Sequence, residues 1–124
     1  MSYDFIKSLQ PMSKEAMNQF IVDRTQKEVE NIIATIYYPA VQVAKGCSKQ
    51  VYHYAIPKND VFYTTNMDKI LSKLRELFPG CVVSHTLLSR GSNGKLYDIS
   101  KIKDDELKLV STVNENSYIV IDWS

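Results

Sequence analysis

Apolar residues fall at Met17, Phe20 and Ile21, then at Val29, Ile32, Ile33 and Ile36. Returns of three and four residues place such positions on one stripe of a helix, so the spacing predicts a long amphipathic helix. Arg24, Lys27, Glu28, Glu30 and Asn31 take much of the opposite side, with Asp23 adding to a face of mixed charge. Ser13 is the expected N-cap, because its hydroxyl can accept from a free N–H of the first turn, and Glu15 suits the positive end of the helix dipole. Pro39 lacks an N–H and biases Tyr38 away from helical torsions, so a kink or restart is expected there. Ala40, Val41, Val43 and Ala44 prolong the apolar face, and Gly46 is the expected left-handed stop. The prediction is one kinked helix, or two joined ones, over residues 13–45.

Beyond it the period changes from helical to alternating. Val51, His53 and Ala55 point to one face of a predicted strand and Tyr52, Tyr54 and Ile56 to the other. Pro57-Lys58-Asn59-Asp60 breaks that strand. Met67, Ile70, Leu71, Leu74, Leu77 and Phe78 then return to helical spacing, with Asn66 or Thr65 as the expected cap and Pro79-Gly80 as the stop. Cys81–Leu88 reads as a second strand rich in β-formers. Arg90–Gly94 reads as a turn across which Lys95–Ile99 pairs back. Residues 100–116 are polar apart from Leu107, Leu109 and Val110, and Asn114-Glu115-Asn116 resembles a turn. The last strand, Ser117–Trp123, sets Ile119, Ile121 and Trp123 against Tyr118, Val120 and Asp122, and is expected near the middle of the sheet.

A right-handed strand-helix-strand connection makes the first two strands parallel. The helices must bury their stripes on a sheet face. The expected fold is therefore α+β: a two-layer domain with a long kinked N-terminal helix and a second helix on one face of a mixed sheet of three to five strands. Residues 1–12 form a separate arm before a single domain over 13–124. The arm carries Tyr3, Phe5, Ile6 and Leu9, too apolar for a solvated tail, and is the expected docking segment for a partner or a second copy.

Composition narrows the function classes. The chain of 124 residues balances 15 Lys+Arg against 14 Asp+Glu, a net charge of +1. No overall basic surface exists for nucleic acid, although a local patch can. No apolar run approaches the ~18 residues of a membrane span. The opening MSYDFIKSLQPMSKE lacks the pattern of a secretory signal. Cys47 and Cys81 are then expected as reduced thiols in a cytosol-like compartment.

Candidate chemistry is sparse. Cys47, His53, Cys81 and His85 are the residue types zinc prefers, but neither pair has the tight spacing of a structural site. The expectation is no metal and no cofactor. No nucleophile elbow occurs, and Cys81 follows a helix C-terminus, where the dipole disfavours a thiolate. Asp104, Asp105 and Glu106 lie in a polar stretch without an apolar frame, which argues against a catalytic pair. Gly91-Ser92-Asn93-Gly94-Lys95 superficially resembles a phosphate loop but lacks its spacing. No catalytic residue is assigned, and an enzyme is not expected.

Two binding modes remain. Eight tyrosines and Trp123 suit protein interfaces, where aromatic side chains bury area at low entropic cost. Alternatively, Tyr52 and Tyr54 could stack bases, flanked by Lys49 and Lys58, with Arg90 and Lys95 also close to strand ends.

Four segments occur in a suggestive order: a helix closing at Gly46; Val51-Tyr52-His53-Tyr54-Ala55-Ile56-Pro57; Leu74-Arg75-Glu76-Leu77-Phe78-Pro79-Gly80-Cys81 with Val83; and the terminal Ile119-Val120-Ile121-Asp122-Trp123-Ser124. This pattern resembles a group of small uncharacterised α/β proteins from large double-stranded DNA viruses of eukaryotes, which often end in a similar hydrophobic-Asp-Trp-Ser strand. The resemblance covers residues 40–88 and 117–124. The excursion from Ser89 to Asn116 departs from the shortest forms, where the two strands join directly. The resemblance implies a viral structural or assembly protein, a virion or minor capsid component in the particle or the host cytoplasm. Its expected partners are itself or capsid proteins. The alternative is a nucleic-acid-binding accessory protein using the Tyr52/Tyr54 face.

Overall fold

The computed structural model describes residues 8–101 and 115–124. Tyr3, Phe5 and Ile6 of the expected arm, and the carboxylates of Asp104, Asp105 and Glu106, lie outside the described residues. Along the chain run α1 (Lys14–Lys45), β1 (Val51–Ala55), α2 (Val61–Leu77), β2 (Val82–Arg90), β3 (Leu96–Tyr97), a 3-10 turn (Ile99–Lys101) and β4 (Glu115–Asp122). The fold is α+β, as the periodicities predict. Among the described residues, no helix is long and apolar enough to cross a membrane.

The sheet has four strands in the order β1-β4-β2-β3. β4 pairs antiparallel with β1, from Val51 opposite Asp122 to Ala55 opposite Tyr118. On its other side it pairs antiparallel with β2, from Val82 opposite Asp122 to Ser89 opposite Glu115. The last strand is central, as its alternation suggested. The expected mixed sheet is corrected: β1 and β2 run the same way, but β4 inserts between them, so every hydrogen-bonded pair is antiparallel. Glu115 and Asn116 belong to β4 rather than to a turn. The Gly91–Lys95 turn closes the β2–β3 hairpin as predicted, with Tyr97 opposite Ser89 and Leu96 opposite Arg90. Gly94 supplies the positive φ of 82° that this turn needs.

Both helices cover one sheet face. Ile36, Ile70, Leu74, Ile119 and Ile121 are completely enclosed, and Val83 lies beside them. By strand parity Tyr52, Tyr54 and Ile56 share this face, and their side chains pack against the same core. Tyr54 and Tyr63 join hydroxyls at 2.6 Å, tying β1 to α2, and Arg75 Nη2 donates to the Val83 carbonyl at 3.0 Å to tie α2 to β2.

One local expectation holds, that of a single helix capped by Ser13, and two differ. Helix α1 passes through Pro39 as one element of 32 residues, with Ser13 capping the Ala16 N–H at 3.1 Å. The left-handed residue after it is Cys47, at φ 57°, whereas Gly46 stays right-handed. Helix α2 begins six residues before the expected Asn66 cap's first turn would allow, at Val61, because the Asp60 carboxylate accepts from Phe62 N–H at 3.1 Å. Asn66 instead marks a break in torsions inside the helix, where its amide donates to the Phe62 carbonyl.

The largest correction concerns the α1 stripe. Only Val29, Ile33, Ile36 and Ala40 are buried; Met17, Phe20, Ile21 and Val22 are 56, 61, 67 and 57% exposed. A helix of this length extends about 48 Å, longer than a β-strand of eight or so residues at about 27 Å can cover. Its first half therefore projects past the sheet.

Truncation at the centre and at the rim should separate these layers. Ile121→Ala should cost roughly 2–5 kcal/mol in urea unfolding, since a cavity opens where nothing can collapse. Val61→Ala, 72% exposed, should stay within about 0.5 kcal/mol. Equal losses would contradict this placement of the core.

Candidate functional site: a cationic cleft at the seam of the sheet

The sheet face opposite the helices carries Val51, His53 and Ala55 from β1, Tyr118, Val120 and Asp122 from β4, and Ser84, Thr86, Leu88 and Arg90 from β2. A flat sheet would leave all of these in water. Tyr118 and Leu88 are instead only 6 and 7% exposed. The sheet curls, and residues of its two edge elements, β1 and the β2–β3 hairpin, line a shared cleft of about 610 Å³. The seam between the two edges is thus an opening with walls from distant parts of the chain.

Lys49, His53, Arg90 and Lys95 converge on this cleft, beside Tyr52 and Leu96. Each is positioned by its own local rule. Lys49 follows the left-handed Cys47 that turns the chain out of α1. His53 sits on the open side of β1 through alternation and meets the Tyr118 ring edge-on, with centroids 6.3 Å apart. Arg90 ends β2 and is braced by Nη1 donating to the Gly94 carbonyl at 3.0 Å. Lys95 closes the turn, where its N–H donates to Asn93 Oδ1 at 3.1 Å.

Burial, and then the Lys49 ammonium, hold the His53 imidazole below its ordinary range, while the Asp122 carboxylate opposes them. Asp122 is itself engaged by Ser124: the Ser124 hydroxyl donates to Oδ1 at 2.6 Å and its N–H at 2.9 Å. Those bonds hold the Asp122 carboxyl below its ordinary range. Burial, and then Tyr54, raise the Tyr52 phenol. The cleft thus gathers Lys49, Arg90 and Lys95 beside an imidazole and a phenol whose neutral forms burial favours. Among the described residues lining it there is no carboxylate.

The sequence-predicted sites fare differently. Tyr52 and Tyr54 do not form a free stacking platform, because the helices cover the face they share; Tyr54 is engaged with Tyr63. Lys49 reaches the cleft alongside Tyr52, whereas Lys58 lies in a separate depression with Asp60 and Asn116. The zinc-type quartet is not assembled: among the described residues no three His, Cys, Asp or Glu side chains converge on a metal position. Cys47 is exposed and Cys81 half-buried, both as free thiols. Leu9, the one described residue of the expected docking set Tyr3, Phe5, Ile6 and Leu9, is 59% exposed. Sequence reasoning had noted Arg90 and Lys95 near strand ends but not their meeting with His53. The available signal was alternation, which puts His53 opposite the tyrosines, on the side the helices leave open.

Comparison with known proteins finds no matching family model, no matching curated protein and no matching solved structure.

The depressed His53 titration has a signed consequence. An unfolded histidine takes up its proton near pH 6.5, whereas folded His53 resists until lower pH. Its contribution to stability is complete above pH 6.5 and is lost as pH falls through the folded value. The melting temperature of the wild type should therefore drop over about pH 7 to 5, and His53→Gln should flatten part of that drop. Parallel profiles for the two proteins would contradict the assigned burial.

Proposed function

We propose that this protein is a non-enzymatic assembly protein that acts through protein–protein contacts, and that the first half of α1 is its self-association surface. One observation carries the reading: Met17, Phe20, Ile21 and Val22 are all more than half exposed on a helix that has left its own domain. An isolated helix of four turns or so is marginal in water, and Met17, Phe20 and Ile21, at steps of three and four, adjoin on one exposed side.

The sequence of that half also suits a second copy. Lys14, Met17, Ile21, Arg24 and Glu28 recur at alternating steps of three and four, the seam of a two-helix pair. Placed antiparallel about a two-fold axis at Ile21, the seam sets Ile21 against Ile21, Met17 against the Arg24 stem, and Lys14 against Glu28. Such self-complementarity is what an isologous contact requires. Arg24 Nε already stands 3.4 Å from Glu28 Oε1, so the charged end of the seam is preformed.

The resemblance to small proteins of large DNA viruses supplies the setting for this reading: a virion or minor capsid component, in the particle or the host cytoplasm, meeting copies of itself or capsid proteins.

Light scattering on the eluting protein should give a dimer for the wild type and a monomer for Ile21→Glu. Because Ile21 is exposed in the single chain, unfolding of the monomeric variant should stay cooperative, with its intrinsic stability shifted by no more than about 0.5 kcal/mol. A wild type that is monomeric at high concentration would remove the reading, as would an Ile21→Glu protein that remains dimeric.

A further inference from the structure

From the residues meeting at the seam of the sheet, we propose that the cleft bounded by Lys49, His53, Arg90 and Lys95 binds phosphate esters of nucleosides, free or within a single strand. This goes beyond the assembly reading, and its site lies at the seam between β1 and the β2–β3 hairpin, beside Val43 near the end of α1.

Charge is the first argument. The whole molecule is nearly neutral, at +1, yet Lys49 from the α1–β1 connection meets Arg90 and Lys95, at the two ends of the β2–β3 turn, in one cleft with no carboxylate among its described lining residues. Like charges gathered at one opening create a local positive potential that attracts anions. Size is the second argument. At about 610 Å³ the cleft is far larger than one inorganic anion and falls in the range of small-molecule sites.

The wall chemistry then selects among anions. Tyr52 and the apolar side chains of Val51 and Leu96 stand among the cations, a combination that suits a base or sugar joined to phosphate. Arg90 has five N–H donors and spends one on the Gly94 carbonyl, leaving a planar fork suited to a phosphate oxygen pair. Gly94 presents backbone alone, and a Cβ built there would meet nothing within 4 Å, so a ligand can approach the turn closely. An acidic peptide would satisfy the charges but leave the aromatic and apolar wall unused.

Fluorescence anisotropy with a fluorescein-labelled oligothymidylate of about twelve nucleotides, and separately with a fluorescent ATP analogue, tests this directly. The full chain should bind at least one probe, and Lys49→Glu/Lys95→Glu should weaken that binding by about tenfold or more, taking about 1.4 kcal/mol as a factor of ten. Lys58→Glu/Lys69→Glu makes the same change in net charge elsewhere and should leave binding within about twofold. If the oligonucleotide engages three phosphates, its affinity should fall roughly twentyfold between about 50 and 200 mM salt.

Preference for the oligonucleotide would identify a strand, and equal affinity for the ATP analogue a mononucleotide; both support the site. Polyglutamate displacing either probe with equal affinity would overturn the choice of ligand. No binding of either probe, or equal loss in both charge-reversal pairs, would overturn the site. Amide shifts in the wild type provide a measurement independent of any variant. They should move at Lys49, His53 and Lys95 on adding oligothymidylate, and shifts confined to other elements would count against the proposal.

Discussion

The pairing of β4 on both of its edges is the constraint on which the rest of the fold depends. Its backbone joins β1 to β2, two strands that would otherwise be separated by a helix and share no hydrogen bond. Its Ile119 and Ile121 side chains, completely enclosed, form the floor on which both helices rest. Trp123 N–H donates to the Gln50 carbonyl at 2.9 Å and Ile56 N–H to the Ser117 carbonyl at 3.0 Å, extending the ladder at both ends of β1. Without β4 there is neither a continuous sheet nor a seam. The native order therefore requires contacts between residues near position 50 and residues near 120, and such non-local pairing is slow to form relative to the local helices.

Much of this was legible from residue pattern because a buried surface imposes a period. Alternation in Val51–Ile56 and in Tyr118–Trp123 identified which side chains share a face, and burial of Ile119 and Ile121 follows that parity. The period is silent about length and neighbours. Met17, Phe20 and Ile21 look like core on a helical stripe, but the stripe cannot report where the sheet beneath it ends. Strand order was equally hidden: a right-handed crossover gives β1 and β2 a common direction, yet cannot say that a later strand will enter between them. At the helix end, Gly46 was the expected left-handed residue, but hydrogen bonds from the Gly46 and Cys47 amides to Gln42 and Ala44 shift that conformation to Cys47. The cationic cleft was least legible, since Lys49, Arg90 and Lys95 are brought together by curl and register rather than by sequence spacing.

The same fold leaves two surfaces with opposite chemistry. On the helical side, the excess length of α1 leaves Met17, Phe20 and Ile21 exposed. On the sheet side, curl gathers positive charge around an opening. Neither surface conflicts with the core: the first half of α1 contributes little to it, and His53, Arg90 and Lys95 lie across the sheet from it. That separation permits each surface to change without repacking Ile36, Ile70 or Leu74. A net charge near zero therefore does not describe the cleft, whose described lining residues include Lys49, Arg90 and Lys95 and no carboxylate.

The cations bear on the sheet itself as well as on any ligand. Edge strands expose unpaired backbone groups and invite further pairing, either with another molecule or with each other. Here β1 and β3 are short, with Pro57 just beyond one and the Gly91–Lys95 turn beside the other, and charged side chains stand at both. Charged side chains along an edge are a common way of discouraging such further pairing.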